Sequence, residues 1–304
     1  MTAVAKDNIP LAIGAILATS LALALGDAII KQISTGFPLW QIFVLRSVIA
    51  LPVLAGLATL RGDARRLYPA AILWTGLRSL MLVAMWVAFY ASLPHIPLSV
   101  AAAVFYTLPL FITLFAAALL SERVGALGWV AVATGFTGVL LILKPSGSDF
   151  DVYALLPLAS AVLYALAMIL TRSKCRDEHP LALSFSLNVT FVIAGAAAMA
   201  LTAIVPPDPS AVAADPFLLG PWTAMAPREW MVMALLATAT LIGSIGTAIA
   251  YQSGPASMVS TYDFAYLAFV ALWGLMFFGE IPDAMSALGI AFIAAGGILS
   301  VRRA

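Results

Sequence analysis

Apolar runs of roughly 17 to 25 residues follow one another along almost the whole chain, each long enough at 1.5 Å per helical residue to cross ~30 Å of hydrocarbon. Read between turn signals, they fall near residues 9–32, 38–60, 69–92, 97–120, 125–143, 152–171, 181–204, 229–250, 257–278 and 284–301, which predicts ten crossings. Backbone groups inside a bilayer find no water, so each run must be a helix or belong to a closed barrel. The hydrophobicity is continuous rather than alternating, which excludes barrel strands. Composition agrees: 63% of the 304 residues are hydrophobic and 10% charged, against about a quarter charged in a soluble domain. With a mean hydropathy of +1.06, a water-soluble fold would have no surface to offer. The expected fold class is an all-α membrane protein of ten transmembrane helices.

Most connections are short and carry Pro or Gly, as in Gly36-Phe37-Pro38, Leu93-Pro94-His95-Ile96-Pro97 and Gly279-Glu280-Ile281-Pro282, which fits antiparallel neighbours. The exception is the Pro-rich stretch from Val205 to Arg228. The first run is too long for the apolar segment of a secretory signal, so it reads as a span. With a cytoplasmic N-terminus, the inner side collects Lys6, Arg61, Arg65, Arg66, Arg123, Arg172, Lys174, Arg176, Arg302 and Arg303, and the outer side only Lys31, Lys144 and Arg228. By the positive-inside rule both termini are expected in the cytoplasm. A net charge of +1 recommends neither nucleic acid nor a cationic partner. Cys175 is the one cysteine and permits neither an internal disulfide nor a cysteine metal cluster; its basic neighbours place it in a polar loop, and no metal or cofactor is expected.

The two halves resemble one another. Pro38, Leu39, Phe43 and Leu45 recur 142 residues later as Pro180, Leu181, Phe185 and Leu187. A second register of 158 residues matches Pro97 with Pro255, Ser99 with Ser257, Glu122 with Glu280 and Gly138 with Gly296. The long Val205 to Arg228 connection lies between the two sets and accounts for the jump. Each unit, 1–147 and 148–304, then holds five helices. An odd number of crossings inverts the second copy, an arrangement common among secondary transporters.

Two five-helix units, each with a Pro-led second helix and a fourth helix closing on a Glu (Leu120-Ser121-Glu122-Arg123 and Phe278-Gly279-Glu280-Ile281) before a Gly-rich fifth, resemble the EamA-type transporters of the drug/metabolite transporter superfamily. The resemblance implies a multi-pass protein of the bacterial inner membrane, a monomer or homodimer, acting on a small-molecule substrate and not an enzyme. Among such transporters the chain is most similar to bacterial amino-acid exporters, including the aromatic-amino-acid type. Amino-acid export by alternating access through a central cavity is therefore the expectation, with a drug, purine or nucleotide-type solute as the alternative. The substrate rests on analogy alone.

Ionisable groups deep in a membrane are costly and mark candidate function. Four stand inside spans: Asp27, Arg46, Arg78 and Asp263. For Arg78 two readings stay open: a cavity guanidinium that binds a substrate carboxylate, or a structural ion pair with Asp263. For Arg46 the expected partner is Asp27 across the first hairpin. Asp27 and Asp263 are the core carboxylates through which proton coupling would run; a facilitator without a coupled ion is the other reading.

Aromatic residues supply the second feature. Tyr262, Tyr266, Phe269 and Trp273 recur at helical spacing on the ninth span. Trp86 and Tyr90 lie one turn apart on the third, Tyr106 is on the fourth, and Tyr164 on the sixth. Together they would line a cavity suited to a ring-bearing solute, although a packing or lipid-facing stripe is the plainer reading of any single ring. Pro109 should kink the fourth helix and free carbonyls toward the cavity. Glu122 and Glu280 are expected to stabilise the fold at a helix N-terminus or a loop donor. Trp40, Trp129, Trp222 and Trp230 read as interfacial anchors. The rivals from other classes are an intramembrane aspartyl protease using Asp27 and Asp263, which lacks a Gly-x-Gly-Asp signature here, and a membrane assembly protein, which would not need buried charge.

Overall fold

The computed structural model describes residues 8–60, 67–120, 126–143, 151–254, 259, 262–263, 265–281 and 283–301. Among them the regular structure is helical: α1 Ile9–Ile33, α2 Leu39–Leu60, α3 Ile72–Ser92, α4 Leu98–Phe105, α5 Leu108–Leu120, α6 Ala126–Leu143, α7 Leu155–Lys174, α8 Pro180–Ile204, α9 Pro209–Ala214, α10 Pro216–Leu219, α11 Pro227–Ser253, α12 Ala265–Phe278 and α13 Ala284–Val301. Six of these stretches, at 9–33, 39–60, 72–92, 152–174, 180–204 and 227–253, are long and apolar enough to cross a membrane. Several helix ends carry the local signals that stop fraying. Asn8 Oδ1 accepts from the Leu11 N–H at 3.2 Å, His179 Nδ1 from Leu181 at 3.2 Å, and Asp283 Oδ1 from Ser286 at 2.7 Å. Pro180 and Pro227 open their helices where no amide partner is required.

Among the described residues, two of the spans predicted from the sequence are interrupted. The fourth predicted helix breaks at Tyr106 and Thr107 and resumes as α5, one residue before Pro109, whose ring and missing N–H disfavour an unbroken turn. Thr107 bridges the break: its N–H and hydroxyl both donate to Val104 O, at 3.2 and 2.9 Å, while its carbonyl accepts from Leu110. The ninth turns at Asp263, whose N–H donates to Val259 O at 3.1 Å and whose carbonyl accepts from Tyr266 at 2.9 Å. The Pro109 side chain and Glu122 lie outside the described residues.

Long helices pair across the chain. α1 lies along α11 and α3 along α7; α2 pairs with α8 and α6 with α13. The α6–α13 crossing is tight because Gly138 sits against it: a Cβ there would come within 2.5 Å of Gly289 O and 2.9 Å of Ile293 N. The 205–226 connection folds back on the start of α2. Trp40 Nε1 donates to Leu218 O at 2.8 Å, and the Gln41 amide both donates to Thr223 O and accepts from Thr223 N–H. Trp40 is thus half-buried against protein rather than a free interfacial anchor, whereas Trp129, Trp222 and Trp230 are exposed. Cys175 likewise departs from expectation, being buried beside Thr75.

Candidate functional site

At mid-bundle two adjoining cavities share a wall made by Leu23, Trp86 and Tyr164. The first, of about 40 Å³, is lined by Arg46, Arg78, Leu82, Met85 and Tyr90 on one side and Leu187, Phe191, Thr240, Gly243, Ser244 and Thr247 on the other. The second, of about 20 Å³, is lined by Thr19, Phe89, Phe105, Tyr106, Asp263 and Tyr266. Ligand sites of this kind are concave, mostly apolar and carry a few placed polar groups.

The two helix breaks meet in the second cavity. Tyr106 Oη, at the first break, donates to Asp263 Oδ1, at the second, over 3.1 Å. Ser20 Oγ on α1 lies 2.8 Å from the same carboxylate oxygen and 2.8 Å from Ile16 O; its single proton serves one acceptor at a time. The Tyr106 ring stacks on Tyr266 at 4.9 Å between centroids. Tyr266 in turn donates to Asp27 Oδ2, and Tyr90 donates to Asp27 Oδ1 at 2.9 Å. Asp27 is fully buried, so this pair of phenols takes the place of water for its carboxylate.

Neither expected ion pair forms. Arg46 does not reach Asp27; its guanidinium lies between rings, 4.7 Å from the Phe43 centroid and 4.6 Å from that of Phe191, with Tyr90 at 5.7 Å. Tyr90 therefore stands between the two charges, hydrogen-bonded to one and facing the other. Arg78 does not meet Asp263 either. Its Nε donates to Thr171 Oγ1 on α7 at 2.6 Å, and Thr171 passes its own proton to Ala167 O at 2.7 Å. Each arginine is left with an unsatisfied buried donor, Nε of Arg46 and Nη1 of Arg78.

Of the residues singled out from the sequence, Arg46, Arg78, Trp86, Tyr90, Tyr106, Tyr164, Asp263 and Tyr266 line the two cavities, and Asp27 sits immediately behind them. Tyr262 does not join them: it is 41% exposed, because the turn at Asp263 ends the helical register on which its grouping with Tyr266 depended. Glu280 makes its contacts across the molecule. Its carboxylate pairs with Lys31 Nζ at 3.0 Å and accepts from the Ser99 N–H at 3.3 Å, so it serves the start of α4 and not the helix that follows it. Lys31 is held there and by Ile96 O at 2.7 Å. Overlooked in the sequence were Ser20, Thr171 and the α11 stripe Thr240, Ser244 and Thr247. The last three recur at i, i+4 and i+7 in an apolar helix, a polar face that periodicity alone exposes.

Comparison with known proteins gives a consistent answer. The profile of the EamA-like transporter family matches residues 10–144. A riboflavin transporter of Rhizobium johnstonii is 31% identical over 267 residues, covering 86% of this chain and 79% of that protein. A pseudopaline exporter of Pseudomonas aeruginosa is 27% identical over 277 residues, covering 90% and 88%. An S-adenosylmethionine uptake transporter of Rickettsia prowazekii is 25% identical over 223 residues, covering 71% and 67%. A solved crystal structure, 19% identical, superposes with a TM-score of 0.64 over 97% of this chain and 96% of that one, which speaks for the fold alone. Its paired apolar helices and this kinship agree: the chain belongs to the EamA-like transporter family of the drug/metabolite transporter superfamily, and is a multi-pass membrane transporter rather than an enzyme.

Proposed function

We propose that this transporter is a secondary carrier of the bacterial inner membrane that exports amino acids, aromatic ones among them, by alternating access. In this reading ten helices form two inverted five-helix units, 1–147 and 148–304, with both termini in the cytoplasm. The packing supports it. Exchanging α1 with α7, α2 with α8, α3 with α11, α4 and α5 with α12, and α6 with α13 turns the principal helix pairs into one another: α1–α11 becomes α7–α3, while α2–α8 and α6–α13 map onto themselves. The breaks at Tyr106 and Asp263 lie within a residue of the 158-residue register, and the family profile falls within the first unit.

The observation that carries the substrate reading is the meeting of both broken helices at a ring-walled cavity holding Asp263, beside an adjoining cavity that holds Arg46 and Arg78. An α-amino acid brings a carboxylate, an ammonium and, in the aromatic members, a ring, and these match arginine, Asp263 and the Trp86, Tyr106 and Tyr266 walls in kind. A fused heteroaromatic solute is the second reading, favoured by the same stacked rings and by the riboflavin-transporting relative.

The test is uptake into proteoliposomes of purified protein, with amino acids, purines, riboflavin and cationic drugs supplied one at a time and in competition. Saturable transport of phenylalanine or tryptophan, competed by other amino acids, is expected. Transport confined to purines, flavins or cations would overturn the amino-acid reading.

A further inference from the structure

Arg78 is 1% exposed and Arg46 3%, and among the described residues no carboxylate lines the cavity they share. Arg46 has partial relief: aromatic faces cover its plane, and Asp27 stands one phenol away through Tyr90. Arg78 has none of this. Thr171 anchors its Nε, and Nη1, on a side chain that lines the cavity, is buried with nothing to receive its protons. A buried guanidinium without an anion is costly unless one arrives. From this geometry we infer that the Arg46–Arg78 cavity is an oxyanion subsite, Arg78 being the principal donor, Thr171 the residue that positions it, and the occupant the carboxylate of an organic solute.

The assignment rests on the carrier reading for its occupant but not for its chemistry. The shared wall orders the solute: its carboxylate lies toward Arg78, its ring against Trp86, and its remaining polar group toward Asp263 in the adjoining cavity. Free phosphate offers the same chemistry without the ring, so the two sources separate by experiment. Planar, two-pronged acceptance by a guanidinium also makes lysine an imperfect substitute.

The test uses purified full-length protein in detergent, titrated with 3-phenylpropionate, L-phenylalanine, L-phenylalaninamide and inorganic phosphate while tryptophan fluorescence and thermal unfolding are read. The wild type should bind the two carboxylates at least about tenfold more tightly than the amide, the size expected of one charge-assisted contact. Arg78→Gln should abolish that preference, and Arg78→Lys restore part of it. Thr171→Val, which preserves shape, should weaken the carboxylates several-fold and leave the amide unchanged, which a merely structural role would not do. Equal wild-type affinity for amide and carboxylates overturns the inference without recourse to any variant. Phosphate bound tightly and not displaced by 3-phenylpropionate overturns the organic occupant. Binding is read without transport, so carboxylate binding with no amino-acid flux would sink the carrier reading and leave the subsite standing.

Discussion

Breaking the contact between Lys31 and Glu280 should loosen one end of the bundle. Gly279, at a φ of 64°, closes α12 in a left-handed turn, with Gly279 N–H on Leu275 O and Glu280 N–H on Gly274 O. That turn aims Glu280 at Lys31, at the end of α1, and at the first turn of α4; Lys31 also holds Ile96 O and faces the Phe278 ring at 5.4 Å. Three segments distant in sequence thus share one ion pair. Each side chain is 15% exposed, so the pair is neither a surface bridge worth ~0–1 kcal/mol nor a dry one whose loss costs ~3–5 kcal/mol. Glu280→Gln should favour local opening by about 2 kcal/mol, a shift of roughly 30-fold in the open population. The readout is maleimide labelling of Ser99→Cys, 7% exposed behind Glu280, in a Cys175→Ser background. Labelling should quicken about 30-fold with Glu280→Gln or Lys31→Met, and the swapped pair Lys31→Glu with Glu280→Lys should recover much of the protection. Unchanged labelling in both single variants would show that apolar packing alone closes this end.

Flux measured with and without a pH gradient should lose its gradient dependence in Asp27→Asn or Asp263→Asn if a core carboxylate carries the coupled proton; identical dependence in both variants refutes coupling through them. Gly138→Ala puts a methyl against backbone atoms of α13, which cannot yield as a side chain tip would, and should cost about 1–3 kcal/mol. Its melting temperature in detergent should fall by several degrees, and no fall would mean that the helices part freely there. Gln41→Ala removes both hydrogen bonds to Thr223, so limited proteolysis should cut the 205–226 connection faster than in the wild type while the ends of α8 and α11 stay intact.

Membrane insertion, the run lengths of the long helices and the break before Pro109 were legible in the residue order. These are properties of a segment and its near neighbours: hydrocarbon thickness sets the length, and a missing amide sets the break. The turn at Asp263 carries no proline and was invisible, and with it the outward placement of Tyr262. Partner choice was equally hidden. Depth along a span made Asp27 a plausible mate for Arg46 and Asp263 for Arg78, but depth says nothing about which face of a helix looks inward. In a segment apolar all round, no amphipathic stripe reports that face. Tertiary packing decided it, bringing Tyr90 and Tyr266 to Asp27 across 63 and 239 residues, and Thr171 to Arg78 across 93. Where the surroundings offer no water, the nearest hydroxyl or ring becomes the partner, and only the arrangement of distant helices determines which one that is.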